Sequence, residues 1–189
     1  MHSKLQHTAP RYPPRMRDRL RRAWFWAVGA GGASRLSLLL HPRLYRWSGG
    51  IGPLGHFLGN RVAIMTTMGA KTGRPRTAPI WIYPHGEAWV VVASRGGDRR
   101  LPGWYHNLRA NPRATVQIGG KRVEVDAGEA SGEEHERLWA MVNNAYPGYA
   151  YYRERSGRHI PVMVLTPEDP AGAKLGRGGR AITTARRLG

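Results

Sequence analysis

The feature that most constrains the fold is a series of six short segments rich in Val, Ile, Thr and aromatic residues, separated by Gly and Pro. Such segments are typical of β-strands. They are residues 62–67, 77–83, 88–94, 114–118, 123–130 and 160–166. Gly86 and the pair Gly119-Gly120 lie where hairpin turns are needed, which indicates antiparallel pairing. Pro79 predicts that the second strand is an edge strand or carries a bulge.

Two segments between the strands are predicted to be helical. The first covers residues 104–110 and is stopped by Pro112, and the second covers residues 133–144. Ser131 followed by Glu134 matches a capping box, so the carboxylates at that helix start are predicted to be structural. We therefore expect a mainly β (α+β) fold, with a six- to seven-stranded antiparallel barrel and a few peripheral helices.

The charge of the chain predicts an anionic partner. Thirty Lys and Arg against 12 Asp and Glu give a net charge of +18 over 189 residues. Such an excess suits nucleic acid, an anionic membrane surface or a multiply charged cofactor, and charge alone does not choose among them. The chain has no Cys, which excludes disulfides, thiolate metal sites and thiol nucleophiles.

Residues 1–55 form a basic, aromatic extension. Its uncharged run, residues 23–34, is shorter than the roughly 20 apolar residues that cross a bilayer. The run suits an amphipathic helix lying on an anionic membrane. Packing of its aromatic residues on the main domain and an export signal are the alternatives. The basic tail, residues 168–189, is rich in Gly, Ala and Arg and is predicted to be disordered.

The segment between the first two strands is suited to bind an anion. It carries three cations, Lys71, Arg74 and Arg76, together with two glycines. Gly69 and Gly73 permit positive φ, which would let backbone N–H groups converge on a phosphate or carboxylate. The segment is not a P-loop, because Arg-Pro and strand-like residues follow its second glycine.

Four motifs in this order resemble the deazaflavin-dependent nitroreductases, an actinobacterial family within the split β-barrel flavin and deazaflavin oxidoreductases. They are Gly-Ala-Lys-Thr-Gly-Arg-Pro-Arg at 69–76, Val-Val-Ala-Ser-Arg-Gly-Gly at 91–97, Pro-Gly-Trp-Tyr-His-Asn-Leu-Arg-Ala-Asn-Pro at 102–112 and Tyr-Pro-Gly-Tyr at 146–149. The resemblance implies that a split β-barrel cofactor-binding domain occupies residues 56–167.

The resemblance implies a site for coenzyme F420, an 8-hydroxy-5-deazaflavin whose phosphate and oligoglutamate chain are anionic. The cations of the turn would hold that charged portion. Arg95 replaces the lysine usual in the family, which changes reach and donor geometry. The implied cofactor contacts are Ala70, Lys71, Thr72, Arg76, Thr77, Ala78, Pro79, Ile80, Trp81, Val92, Ala93, Ser94, Arg95, Gly103, Trp104, Tyr105, His106 and Asn107.

The resemblance also implies an aromatic wall for the acceptor, formed by Trp81, Tyr146, Tyr149 and Tyr152. The three tyrosines recur at helical spacing, and ordinary packing is the alternative explanation of such a stripe. Trp81 stands where nitroimidazole-activating members carry a tyrosine. Ser94 and Tyr149 are the candidate catalytic residues because each can donate a hydrogen bond to an oxygen that becomes negative. No metal is expected, since His106 lacks a second ligand at suitable spacing.

The expected activity is transfer of a hydride from reduced F420 to a small-molecule acceptor: a quinone, an enone or a nitroaromatic compound. A lipid quinone is the natural substrate if the extension contacts an anionic membrane, which would place a cytoplasmic protein at the inner face of the cell membrane. A nucleic-acid-binding module and a flavin- or haem-binding split barrel are the alternatives, although no groove-reading motif supports the first. The sequence does not determine the oligomeric state.

Overall fold

The computed structural model describes residues 59–169, the backbone of 56–57, and Leu20, Ala23 and residues 25–27 near the N-terminus. The predicted extension and tail otherwise lie outside the described residues. Within the described residues, no helix has both the length and the apolar character needed to span a bilayer.

Seven strands form the sheet in the described part of the chain. They are β1 (His56–Phe57), β2 (Asn60–Met68), β3 (Pro75–His85), β4 (Ala88–Val92), β5 (Arg113–Ile118), β6 (Lys121–Glu129) and β7 (Val162–Pro167). Their order is β1-β2-β3-β4-β7-β6-β5, and β5 also pairs with β2. Every pairing is antiparallel. Strands β2 to β7 therefore close a six-stranded barrel, which confirms the predicted fold.

One part of β3 forms an edge of this barrel. From residue 75 to 82, β3 forms a ladder with β2, whereas its ladder with β4 covers only residues 83–85 among the described pairings. Pro79 lies opposite Ile64 within the first stretch. The edge position predicted for this proline is therefore confirmed, because a residue without an N–H is tolerated where one side of the strand has no ladder.

Alternation along the strands sends every second side chain into the barrel. Inward residues from all six barrel strands pack with Tyr105 and Leu108 of the first helix. The inward residues of the strands are Ala63, Met65, Ile80, Ile82, Trp89, Val91, Ala114, Val116, Ile118, Val123, Val125, Met163 and Leu165. The core is thus a continuous apolar filling rather than a ligand cavity.

Within residues 59–169, three α-helices accompany the barrel: α1 (Gly103–Ala110), α2 (Gly132–Ala145) and α3 (Gly148–Ser156). Helices α2 and α3 cover the outward side chains of β4 and β7. This second layer contains Tyr83, Val90, Val92, Leu138, Trp139, Val142, Tyr146, Tyr149, Tyr152 and Val162. The outer face of this part of the sheet is therefore buried.

The structure departs from the sequence expectations at several element ends. Strand β3 begins two residues earlier than predicted, and helix α1 begins at Gly103. Ser131 is the N-cap of α2, but its side chain makes no capping hydrogen bond, so the predicted capping box is not formed. Tyr146 ends α2 with extended backbone, and Tyr149 and Tyr152 lie on a separate helix. The sequence analysis predicted no separate helix here, because the three tyrosines keep helical spacing across Pro147-Gly148, where the structure divides α2 from α3.

Candidate active site

The β2–β3 connection is a compact turn closed by its own backbone. The N–H of Gly69 donates to the carbonyl of Arg74 at 2.9 Å, and the N–H of Gly73 donates to the carbonyl of Gly69 at 2.8 Å. Gly73 has a φ of 59°, as expected for its left-handed position. Gly69 does not have positive φ, contrary to expectation; a Cβ there would lie 2.7 Å from Thr72 Oγ1. Gly69 is therefore needed for close approach, not for left-handed backbone.

We call residues 69–76 the cationic turn. Lys71, Arg74 and Arg76 are exposed, and none forms an ion pair with a carboxylate in the described part of the chain. Exposed single charges attract weakly in water, but several together suit a ligand that carries several negative groups. The donor set fits a phosphate joined to carboxylates, as the predicted cofactor requires.

Helix α1 contacts the cationic turn through Asn107. The Asn107 Oδ1 atom accepts from the N–H of Ala70 at 3.0 Å, and Nδ2 donates to Thr67 Oγ1 at 2.9 Å. His106 is exposed, and Trp104 packs partly buried against the barrel core. The structure thus brings the α1 motif and the turn motif together, although the amide of Asn107 is engaged by the protein itself.

Tyr105 points away from solvent into the barrel core. Its hydroxyl donates to Glu129 Oε2 at 3.0 Å, and Arg109 Nη1 donates to the same oxygen at 2.7 Å. Burial raises the pKa of Tyr105, and the hydrogen bond to Glu129 raises it further. These contacts give Tyr105 a structural role, and its predicted contact with the cofactor stays a prediction.

The end of β4 leads into a 3-10 turn, Arg95–Gly97. Ser94 is 9% exposed at the start of this turn. Arg95 has a φ of 48°, a left-handed conformation rare for a residue with a side chain. Its Nη1 donates to the carbonyl of Leu101 at 3.2 Å, and its Nε lies 3.6 Å from an Asp98 carboxylate oxygen. The Arg95 side chain is therefore held within its own loop.

The predicted contacts on β3 and β4 alternate between two faces. Thr77 is exposed, while Ala78 and Pro79 are partly buried. Ile80 and Ala93 belong to the barrel core, whereas Trp81 and Val92 belong to the outer layer. Side chains of one strand therefore cannot all line one ligand, and inward residues could contact it only through their backbone.

The four predicted acceptor-wall residues form one aromatic cluster. The Trp81 ring lies 4.8 Å from the Tyr146 ring and 6.3 Å from the Tyr149 ring, both edge to face. The Tyr146 and Tyr152 hydroxyls are 2.9 Å apart. Tyr83, which sequence reasoning missed, donates its hydroxyl to that of Tyr149 at 3.1 Å. Its position two residues after Trp81 on one strand was a signal for a shared face.

Phe25 of the N-terminal extension covers this cluster. It is 5% exposed, its ring lies 5.5 Å from that of Tyr146, and its carbonyl accepts from the Tyr152 hydroxyl at 3.2 Å. Burial raises the pKa of Tyr152. Packing on the main domain, one alternative for the extension, is thus observed at Phe25, whereas Trp26 is 51% exposed. Contact between an acceptor and the tyrosines requires the covering residues to move.

An open groove of about 1010 Å³ lies at a different set of residues. It is lined by the start of α2 together with Arg109, Glu129 and His159, and includes none of the predicted site residues. The described residues contain no group of three or more His, Asp or Glu placed to hold a metal ion. The predicted site is therefore defined by the cationic turn and the aromatic cluster rather than by this groove.

The chain matches a protein-family model over most of its length. The family model described as F420H(2)-dependent quinone reductase matches residues 38–167. The chain belongs to this family. As an F420H(2)-dependent quinone reductase family member, it has the oxidoreductase class and the deazaflavin cofactor that the motif resemblance implied. The family prediction is confirmed.

Individual relatives agree with this assignment. This chain is 42% identical over 134 residues to an F420H(2)-dependent quinone reductase of Mycobacterium tuberculosis. The matched region covers 68% of this chain and 89% of the relative. The solved structure of an F420-H2 dependent reductase is 40% identical, with a TM-score of 0.51 over 55% of this chain and 92% of that chain. A solved domain-swapped dimer is 36% identical, with a TM-score of 0.53 over 67% and 96% of the two chains.

Proposed function

We propose that this quinone reductase family member transfers a hydride from reduced coenzyme F420 to a quinone. The observation that carries the proposal is that β3 joins the two halves of the site. Arg76 lies at its start and Trp81 five residues later, about 16 Å along an extended strand. One rigid element therefore links the cationic turn, which has no carboxylate partner among the described residues, to a cluster of aromatic rings.

The residues of the turn would hold the anionic part of the cofactor. Lys71 and Arg76 would supply charge-assisted hydrogen bonds, and Ala70 and Thr72 would contribute from the same turn. An edge strand presents backbone N–H and C=O groups on its outer side, and we propose that residues 77–80 use them toward the planar ring system. When bound, the cofactor supplies the hydride, so the chain needs no nucleophile of its own.

The remaining residues would orient the acceptor and exclude water. Once covering residues such as Phe25 move aside, the aromatic cluster would offer ring faces and edges against which a planar quinone can pack. Tyr149 and Ser94 would donate hydrogen bonds to the quinone oxygen that gains negative charge. Both side chains are at most 9% exposed in the described structure, which favours strong electrostatic effects once an acceptor is present. Enones and nitroaromatic compounds share the electrophilic planar character and are secondary acceptor candidates.

The decisive experiment is a visible-absorbance titration of the purified protein with F420, flavin mononucleotide and haem. It is followed by oxidation of reduced F420 with a soluble quinone under anaerobic conditions. We expect saturable F420 binding, no flavin or haem binding, and quinone-dependent oxidation. Preferential flavin or haem binding would replace the proposal with the corresponding split-barrel function. Binding of nucleic acid with a steep salt dependence, without F420 binding, would favour the polyanion-binding alternative.

We further propose that the physiological acceptor is a lipid quinone, met by a cytoplasmic protein at the inner face of the cell membrane. Exposed Leu20 and Trp26 on the N-terminal helical residues and the high positive charge support this. Sedimentation with anionic and neutral vesicles tests it. Binding only to anionic vesicles is expected, and absence of binding to either would leave a soluble quinone as the substrate.

A further inference from the structure

The cationic turn projects from the barrel with little support of its own. Residues 70–77 are all exposed. The backbone hydrogen bonds of residues 69–74 join residues of the turn itself, and only Pro75 and Arg76 at its end pair with β2. A glycine-containing, exposed turn loses conformational freedom when it binds a ligand, which weakens binding. A contact that holds the turn in one conformation beforehand would reduce this loss.

Asn107 makes such a contact from helix α1. Its Oδ1 accepts from the N–H of Ala70 at 3.0 Å, and its Nδ2 donates to Thr67 Oγ1 at 2.9 Å. The amide orientation is determined, because a backbone N–H requires an acceptor and therefore faces the oxygen. Ala70 lies in the turn and Thr67 lies in β2, so one side chain joins the turn to the sheet.

Helix α1 holds Asn107 in a fixed position because the helix itself is packed on the barrel. Tyr105 and Leu108, on either side of Asn107, are buried in the barrel core. The Tyr105 hydroxyl and Arg109 both bond Glu129 on β6. Thr67 is itself 2% exposed within β2. The position of Asn107 is thus set by packed elements, and its amide transmits that position to Ala70.

We propose that Asn107 is a positioning residue that preorganises the cationic turn through Ala70 and Thr67, rather than a residue whose amide contacts the cofactor. The proposal rests on the proposed function for its effect on F420 binding, but the preorganisation itself is a property of the free protein. It replaces the family-derived expectation of a direct contact with an indirect one. The hydrogen-bond donors of the turn keep their arrangement because the Asn107 amide holds the backbone of Ala70.

The first test is amide hydrogen exchange of the cofactor-free protein, followed by NMR. Asn107→Ala should speed exchange at Ala70 by about tenfold, since its N–H loses its acceptor. The N–H groups of Gly69 and Gly73 keep their acceptors within the turn, so they should also exchange faster if the turn loses its order. The N–H of Gly157, which bonds the Arg153 carbonyl outside the turn, is the control. Unchanged exchange at Gly69 and Gly73 would overturn the proposal whether or not the protein binds F420.

The second test is a double-mutant cycle on F420 affinity. Thr67→Val is nearly isosteric, and its side chain is buried, so it cannot act as a direct ligand. We expect Asn107→Ala to raise Kd about tenfold, and Thr67→Val to raise it about threefold. The double variant should be no weaker than Asn107→Ala alone, because both changes break one connection.

A direct-ligand role predicts a different pattern. Thr67→Val would then leave Kd unchanged, and the loss caused by Asn107→Ala would be the same in both backgrounds. That outcome would overturn the positioning role. If the wild-type protein does not bind F420, the proposed function fails, while the exchange experiment still decides whether Asn107 orders the turn.

Discussion

Arg158 Nη2 donates to the backbone carbonyl of Ser94 at 3.1 Å and to that of Ala93 at 3.0 Å. Its Nε donates to the carbonyl of Asp98 at 3.1 Å. One guanidinium thus holds both ends of the loop that carries the candidate catalytic serine. A planar group with five donors can do this, whereas an ammonium on a single atom cannot reach carbonyls in several directions.

We therefore expect Arg158→Lys to destabilise this loop despite conserving the charge. Loss of several hydrogen bonds to partly buried carbonyls should cost about 1–3 kcal/mol in the free energy of unfolding. The N–H of Gly97, which bonds the Ser94 carbonyl at 3.0 Å, should exchange faster. Urea denaturation and amide exchange measure the two effects. Arg99→Lys, at an exposed position in the same loop, is the control and should change neither.

The cationic turn can be tested against another basic hairpin. Replacing both Lys71 and Arg76 with Ala should weaken F420 binding by about 2–4 kcal/mol, because charge-assisted hydrogen bonds are lost. The salt dependence of Kd should become shallower as well. The Lys121→Ala/Arg122→Ala variant removes the same charge from the exposed β5–β6 hairpin and should bind almost normally. Equal losses of F420 affinity in the two variants would indicate that the net positive charge of the protein attracts the cofactor, without a local site at the turn.

Much of the fold is visible in the sequence because the strands follow local rules. Runs of β-branched residues, with Gly or Pro between them, mark each barrel strand, and Pro79 marks an edge. The turn at Gly73 is equally local, since positive φ is a property of that residue. The ends of the strands were predicted less accurately, because pairing between strands extends a ladder beyond its apolar residues, as at Pro75 and Lys121.

The finer site could not be predicted because its contacts join distant parts of the chain. Asn107 and Ala70 are 37 residues apart, and Tyr152 and Phe25 are 127 apart. Neither pair has a local pattern that would connect its members. The apparent capping box fails for a related reason: residue types at the right spacing permit a hydrogen bond but do not form it unless the backbone approaches correctly.

Gly148 allows the aromatic cluster to close on helix α3. A Cβ at this position would lie 2.3 Å from two ring atoms of Tyr146, which is fully buried. Gly148→Ala should therefore displace the ring and lower stability by about 1–3 kcal/mol. Gly120→Ala is the matched control, because a Cβ there meets no atom within 4 Å. Thermal denaturation compares the two variants. Equal melting temperatures would show that the Tyr146 ring shifts without loss of stability.

Tyr149 and Tyr83 share one hydrogen bond, which separates a catalytic role from a packing role. Tyr149→Phe and Tyr83→Phe both remove that bond and should lower stability by similar amounts, about 1 kcal/mol each. If the Tyr149 hydroxyl stabilises the quinone oxygen, only Tyr149→Phe should reduce kcat, by roughly tenfold. F420 affinity should remain unchanged in both. Parallel losses of kcat in the two variants would assign the pair to packing.

Alkaline pH should weaken the fold through Tyr152. Burial raises the pKa of this phenol above its ordinary value of 10.0, so the folded state keeps its proton longer than the unfolded state does. Its contribution to stability is fully present below pH 10 and is lost as pH rises through the folded-state pKa. Tyr152→Phe should therefore be less stable than wild type by a constant amount below pH 10, since its bonds to Tyr146 and Phe25 are lost. Above pH 10 the difference should narrow, because the variant has no phenol to ionise at this position. Urea midpoints measured from pH 8 to pH 11 test this, and a constant difference across that range would show that Tyr152 does not ionise differently in the folded and unfolded states.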